Sequence, residues 1–251
     1  MLNRRDFLRT TSVGLGAWGV GAATIGAKEA PPGSEVQRSP DETHSAGLPN
    51  GWRTMRKLDA HNHVMSAVHR PETGWAEVDT LIETADRLGI SQLICSRPVM
   101  AGVMANIDTV RDANASILAA MRRHPGRILG YCFVQPGNGA AALDEIDRCL
   151  DEDMVGVKLY NQYFYNDPVV FPIAEHCIER KILFLGHSAH LTDPRTQALQ
   201  PKTSDSKVFC ELSHRYPELL LILGHINGGG DWEWSIKALR NCPNVYLDTS
   251  G

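Results

Sequence analysis

The sequence predicts an α/β protein built as an incomplete (β/α)8 TIM barrel, with about seven β/α units and the eighth strand missing. From residue 52 onward, short apolar runs alternate with amphipathic segments. The apolar runs begin 33, 37, 27, 27, 37 and 25 residues apart, and each interval fits one strand, one helix and two loops. The runs 182–187 and 219–225 are apolar on both faces, as expected of parallel strands covered by helices. Seven uninterrupted repeats favour a barrel over an open doubly wound sheet.

The predicted elements follow one another in strict alternation. Strands are predicted over 58–64, 91–97, 128–134, 155–160, 182–187, 219–225 and 244–249. Helices are predicted over 77–88, 106–123, 140–152, 169–180, 205–216 and 231–241. The sequence ends at Gly251, whereas a closed barrel at this spacing needs roughly 40–60 more residues. We therefore expect a C-terminally truncated copy of a longer protein.

Two segments precede the barrel region. In residues 1–27, Arg4 and Arg5 stand before Phe7-Leu8 and a glycine-rich, weakly apolar run, which resembles a twin-arginine export signal. This resemblance implies a periplasmic or secreted protein that engages the twin-arginine translocation machinery. An uncleaved anchor helix is the alternative, but the glycine content argues against a stable membrane anchor. Residues 28–50, with four prolines and no aromatic residue, are predicted to be a disordered linker.

Composition narrows the class of protein. The 251 residues are 43% hydrophobic with a net charge of -4, which fits one large soluble domain or two small ones. The sequence contains no long run of basic residues of the kind that binds nucleic acid. The six cysteines are widely spaced without a C-x-x-C pair, so we expect buried thiols rather than a disulfide framework or a zinc knuckle.

Histidines stand at the ends of three predicted strands. In a strand, His61 and His63 point to the same side about 6.6 Å apart, at ~3.3 Å per residue, and can close on one divalent metal. Two further apolar strands end in Gly-His, at His187 and His225. Each histidine alone is more often structural. Because the carboxyl ends of barrel strands meet on one face, the four together predict a metal site.

Other polar residues occupy equivalent strand ends. Lys158 and Tyr160 belong to the fourth strand, Arg97 ends the second, and Asp248 ends the seventh. Lys158 is a candidate catalytic residue, and a lysine that faces the barrel mouth can bind a substrate carboxylate; the alternative is a solvated lysine, against which the flanking apolar residues argue. Arg97 either clamps an acidic substrate or pairs with a neighbouring carboxylate. Tyr160 either lines a substrate pocket or packs at the surface.

These motifs together resemble the amidohydrolase superfamily, in the branch that includes aminocarboxymuconate-semialdehyde decarboxylase. The likeness covers residues 57–251 and rests on Asp59-Ala60-His61-Asn62-His63, Gly186-His187-Ser188, Gly224-His225 and the run 244–250. It implies a metal-dependent hydrolase barrel over 51–251, with one divalent metal, zinc being favoured, held by His61, His63 and His187. His225 would act on the bound water, and an eighth-strand aspartate would complete the site. Asp248 is set aside because it belongs to the seventh-strand motif.

Three functions remain open at this stage. The first is an exported metal-dependent hydrolase that activates water against a C–O or C–N bond of a small carboxylated or cyclic substrate. The second is a non-oxidative decarboxylase on the same one-metal scaffold. The third is an inactive fragment, because the eighth-strand aspartate is absent. Lys158 is expected to be uncarbamylated, the alternative being a carbamate that bridges two metals. A homo-oligomer is left open.

Overall fold

The computed structural model describes residues 51–52, 54–100, 102–226 and 232–250. The predicted export signal and linker lie outside the described residues. Residues Lys57–Gly251 form one compact unit, and the described part of the other unit, Leu2–Arg56, contains a turn in which the Gly51 carbonyl accepts from Thr54 and Met55. No helix in the described ranges is both long enough and apolar enough to cross a membrane.

Seven parallel strands form one curled sheet in the order of the sequence, which confirms an incomplete (β/α)8 barrel. The strands are β1 (Leu58–His63), β2 (Gln92–Ser96), β3 (Ile128–Phe133), β4 (Gly156–Leu159), β5 (Leu183–His187), β6 (Leu220–Gly224) and β7 (Val245–Leu247). All seven lie within their predicted ranges. The seventh is shorter than predicted and leaves Asp248 beyond its carboxyl end.

Helices separate the strands, as the amphipathic segments predict. They are α1 (Ala76–Leu88), α2 (Ile107–Arg123), α3 (Ala140–Asp151), α4 (Phe171–Arg180), α5 (Pro194–Leu199), α6 (Ser206–Arg215) and α7 (Trp232–Leu239), with short 3-10 turns at Pro136–Asn138 and Pro168–Val170. Helix α5 was not predicted; it is a six-residue helix within the long connection after β5. Its first turn is set by Asp193, whose carboxylate accepts from the Thr196 backbone N–H, and by Pro194.

Local sequence fixes where the longer helices begin and end. Asn106 caps α2 by accepting from the Thr109 backbone N–H at 2.9 Å, and Asp205 caps α6 through Lys207 and Val208. Helix α1 ends at Gly89, whose φ of 66° lies in the left-handed region that glycine adopts without strain. These signals set the first residues of α2 and α6 and the last residue of α1.

The core lies between the sheet and the helices. Strands β3 and β6 are buried on almost every residue, which explains their continuous apolar sequence. Phe184 of β5 and Phe209 of α6 are fully buried, and Tyr165 packs edge-on against both rings. The Tyr165 hydroxyl lies 3.2 Å from the Leu159 carbonyl and 3.0 Å from the His187 carbonyl, which links the carboxyl ends of β4 and β5.

Candidate metal centre and active site

Four imidazoles converge at the carboxyl ends of β1, β5 and β6. The ring centroid of His61 lies 4.9 Å from that of His63 and 4.7 Å from that of His225. The rings of His225 and His187 are 4.9 Å apart. The predicted histidine cluster is therefore present as a spatial group, although the role of each member as a ligand stays a prediction.

Burial keeps these imidazoles neutral. Desolvation, followed by the charge of Lys158, lowers the pKa of His63 to about 3 and that of His187 to about 2. Desolvation is also the main cause that lowers the pKa of His61 and of His225. A neutral imidazole has a free lone pair, which is the form that binds a metal ion.

The histidine cluster fits a divalent metal for two reasons: one of its ring nitrogens lacks a hydrogen-bond partner, and imidazole is a common metal ligand. The Nδ1 atom of His187 is buried and has no hydrogen-bond partner in the described part of the chain. An orphaned ring nitrogen of this kind is costly in a protein interior unless an ion or a water molecule satisfies it. Imidazole nitrogens are ligands that zinc and neighbouring transition metals accept.

Lys158 lies at the centre of the site. It is fully buried on β4, and its ammonium nitrogen donates to His61 Nε2 at 2.8 Å. Desolvation lowers the pKa of Lys158 to about 7, with Asp248 opposing that shift. Lys158 therefore lies among the strand-end histidines and is not a solvated lysine. A lysine poised between its charged and neutral forms can donate or accept a proton near neutral pH.

Asp248 is a site residue that the sequence prediction set aside. Its Oδ2 accepts from His61 Nδ1 at 2.5 Å, from the His225 backbone N–H at 3.1 Å and from the Ser250 hydroxyl at 2.6 Å. Burial opposes ionisation, but these hydrogen bonds outweigh it and hold the pKa of Asp248 well below its usual value. The feature of the sequence that could have identified Asp248 as a site residue is its position at the end of the predicted seventh strand.

The donor atoms of His61, His225 and Asp248 all lie within 4.8 Å of one another, as ligands of one ion do. The Asp248 oxygen already accepts three hydrogen bonds, so we assign it to orienting His61 rather than to direct ligation. An ionised acceptor at Nδ1 requires the proton on that nitrogen. The lone pair of His61 therefore lies on Nε2, on the side of Lys158.

Backbone conformation contributes to the position of His225. Its φ is 69°, in the left-handed region, which costs a non-glycine residue about 1–2 kcal/mol. The hydrogen bond from its own N–H to Asp248 helps to hold that conformation. Positive φ at a buried polar residue is typical of functional sites.

The two predicted substrate-binding residues are placed differently. Tyr160 stacks on His187 with ring centroids 4.1 Å apart and an interplanar angle of 22°. Arg97 donates to Asp112 Oδ2 at 3.1 Å and to the Met65 carbonyl at 2.9 Å, so its guanidinium is held by the protein itself. Substrate binding by either residue stays a prediction.

A cavity opens over His187 and His225. Its volume is about 400 Å³, and its lining runs along residues 187–193 and includes Thr196, Gln200 and His225. That volume accommodates a small molecule. Because α5 follows this loop, the unpredicted helix forms part of the cavity wall.

Comparison with known proteins identifies the family. The amidohydrolase family model matches residues 58–251, which is most of the chain. The chain belongs to the amidohydrolase family. No curated protein is significantly similar to it in sequence.

Solved structures of amidohydrolase-type proteins share the fold of this chain. A 2,6-dihydroxybenzoate decarboxylase from Rhizobium is 21% identical, with 78% of this chain and 80% of that chain covered and a TM-score of 0.57. A putative amidohydrolase from Staphylococcus aureus is 16% identical, with 78% and 80% covered and a TM-score of 0.59. A dihydroxybenzoic acid decarboxylase from Polaromonas sp. JS666, with bound manganese and 2-nitroresorcinol, is 21% identical, with 78% and 79% covered and a TM-score of 0.57.

Proposed function

We propose that this amidohydrolase is a metal-dependent hydrolase that acts on a C–O or C–N bond of a small carboxylated or cyclic substrate. The observation that carries the proposal is the convergence of four neutral imidazoles around a buried lysine and an orphaned His187 Nδ1. A structural role would not require so many buried or partly buried polar rings at one point.

One divalent metal ion would be held by His61, His63 and His187. Three imidazole donors favour zinc, and the structural relative from Polaromonas was solved with bound manganese, another divalent metal. When bound, the ion supplies a Lewis acid and lowers the pKa of a water ligand.

The protein's own residues supply positioning and proton transfer. Asp248 fixes the tautomer of His61. Nδ1 of neutral His225 lies 3.3 Å from the Ser250 carbonyl, so its other ring nitrogen would accept a proton beside the cluster. The buried amine of Lys158 offers a cation or a proton to a substrate carboxylate. Tyr160 stacks on His187 and gives the site an aromatic wall, and the cavity of about 400 Å³ has room for a small molecule.

A second function is non-oxidative decarboxylation on the same site. It is favoured by Lys158 and by the structural relatives, two of which are dihydroxybenzoate decarboxylases. Loss of carbon dioxide leaves an electron pair on the substrate carbon, and that carbon must then receive a proton. Lys158 can deliver one because its pKa lies near 7.

The two reactions give different products and can be assayed on one preparation. The metal-loaded protein is incubated with dihydroxybenzoates, with release of carbon dioxide as the readout, and with carboxylated lactones and amides, with acid release as the readout. About one metal per chain is expected, and the double variant His61→Ala/His63→Ala should lose both metal and turnover. Metal retained by that variant would refute the site. Full metal without either reaction would favour the inactive alternative.

We propose further that the chain is exported by the twin-arginine route, on the strength of Arg4-Arg5 and the run that follows. Replacing both arginines by lysine should retain a fused reporter in the cytoplasm. Export of that variant at the wild-type level would contradict the proposal.

A further inference from the structure

A second group of metal-binding side chains lies away from the strand-end histidines. Cys210 and His214 are one helical turn apart on α6, so their side chains project from the same face. Cys242 lies in the turn before β7, whereas the strand-end site uses Asp248 beyond the other end of that strand. The group therefore belongs to the amino-terminal end of the barrel, where residues support stability rather than chemistry.

The three side chains have contacts suited to one ion. The sulfurs of Cys210 and Cys242 are 3.0 Å apart. The Nε2 atom of His214 lies 4.0 Å from the Cys210 sulfur and 3.9 Å from the Cys242 sulfur. Ligand atoms around a tetrahedral zinc ion, with Zn–S near 2.3 Å and Zn–N near 2.0–2.1 Å, are about 3.5–3.8 Å apart. The observed separations differ from these by less than about 1 Å, which side-chain rotation can supply.

We propose that Cys210, His214 and Cys242 bind one thiophilic divalent cation such as Zn²⁺, which ties α6 to the chain entering β7. Cys242 is buried, whereas Cys210 is partly exposed and His214 is exposed. The ion can therefore enter from solvent and keep water as its fourth ligand. Five of the six cysteines are buried free thiols, as predicted, and Cys210 alone is partly exposed.

The backbone around this group is already held in place. The Ser213 hydroxyl donates to Asn244 Oδ1, and the Asn244 side-chain amide donates to the Tyr216 and Leu219 carbonyls. These bonds join the end of α6 to the turn that carries Cys242. The ligands are thus positioned without the ion, and binding requires little rearrangement.

A third group, Cys132, Glu145 and Cys149, also brings such donor types together, but it is closed to an ion. Glu145 accepts from Arg148 twice at 2.7 Å and from Asn114 at 2.8 Å, and all three members are buried. Its carboxylate is satisfied by the protein, and no open ligand position faces solvent. This contrast makes Cys149→Ser a matched control.

Cobalt binding to the reduced full chain tests the proposal independently of the proposed enzyme activity. Thiolate ligation gives a sulfur-to-cobalt charge-transfer band in the near ultraviolet, which a histidine and carboxylate site does not give. We expect the band to reach saturation at one cobalt per chain in the wild type, in Cys149→Ser and in His61→Ala/His63→Ala. It should be absent from Cys210→Ser and Cys242→Ser. His214→Ala should lower the affinity for cobalt at least about tenfold. Loss of a residue that only hydrogen-bonds to a ligand already lowers metal affinity by about that factor.

Several outcomes would overturn the proposal. One is the absence of a thiolate band in the wild type, and another is a band that persists in Cys210→Ser. A third outcome concerns the protein purified without reductant. Only four of its six cysteines would then react as free thiols, its mass would be two hydrogens below that of the reduced chain, and peptide mapping would link Cys210 to Cys242. That result would assign the pair as a disulfide. Circular dichroism of each metal-free variant verifies that a lost band does not reflect unfolding.

Discussion

The carboxylate of Asp248 accepts a hydrogen bond from Nδ1 of His61 at 2.5 Å and thereby joins the end of β7 to β1. The two residues are 187 positions apart in the chain. On the opposite side of the ring, His61 Nε2 accepts from Lys158. His61 is thus held from both sides, and its tautomer is set by the protein.

Asp248→Asn should weaken metal binding about 10–100-fold, the usual effect of losing the partner of a metal-binding histidine. The amide lacks the negative charge that favours the proton on His61 Nδ1. Affinity is measured by competition with a coloured chelator. Asp144→Asn, on the exposed face of α3, is the matched control and should bind as the wild type does. Unchanged affinity in Asp248→Asn would show that Asp248 does not orient His61.

The glycines before His187 and His225 should resist enlargement for different reasons. A Cβ on Gly224 would lie 2.8 Å from the Gly186 carbonyl oxygen and 3.0 Å from His61 Cε1. A Cβ on Gly186 would lie 2.5 Å from the Tyr165 ring and 2.6 Å from Phe209. Overpacking of this kind costs about 1–3 kcal/mol. We expect Gly186→Ala to lower mainly the free energy of unfolding, and Gly224→Ala to lower metal affinity as well.

Urea unfolding and chelator competition separate these two effects. Gly74→Ala is the control, since no atom lies within 4 Å of its added Cβ. Its unfolding free energy should stay within about 0.5 kcal/mol of the wild type. Equal metal affinity in Gly224→Ala and the wild type would contradict the assigned contact with His61.

The sequence was sufficient to predict the strands and the histidines because both depend on periodic patterns. The runs that became β5 and β6 are apolar on both faces, and a glycine precedes the histidine after each run. Gly224 allows the close approach of the Gly186 backbone, and Gly186 leaves room for the rings of Tyr165 and Phe209. Asp248 was missed because its contact with His61 depends on the curvature of the whole sheet. Helix α5 was missed because it is short and held by a local cap, and Cys210 meets Cys242 only through the docking of α6 beside β7.

The stacking of Tyr160 on His187 predicts a difference between two substitutions. Tyr160→Phe keeps the ring and should bind metal within about twofold of the wild type. Tyr160→Ala removes a stacked ring, a contact worth about 0.5–1.5 kcal/mol, and should weaken metal affinity by about 2–10-fold. The same chelator competition measures both variants. An equal loss of metal affinity in the two variants would assign the effect to the hydroxyl. Unchanged affinity in Tyr160→Ala would show that the ring does not support the metal site.

The buried carboxylate of Glu145 predicts a pH dependence of stability outside the candidate active site. Burial alone would raise the pKa of Glu145, but hydrogen bonds from Arg148 and Asn114 lower it below its usual value of 4.5. A carboxyl with a lowered pKa stabilises the fold at every pH above its unfolded-state value. That contribution is lost as the pH falls through the folded-state pKa.

Glu145→Gln should therefore reduce the free energy of unfolding by about 1–3 kcal/mol at pH 7, the cost of disrupting a buried charged hydrogen-bond group. Arg148 is partly exposed, so solvent screening keeps the loss below that of a fully buried pair. The difference from the wild type should shrink as the pH falls below 4.5, measured by urea unfolding across pH. Glu152→Gln changes a more exposed partner of Arg148 and should cost under about 0.5 kcal/mol at every pH. A difference between Glu145→Gln and the wild type that stays constant with pH would show that Glu145 contributes through packing rather than through its charge.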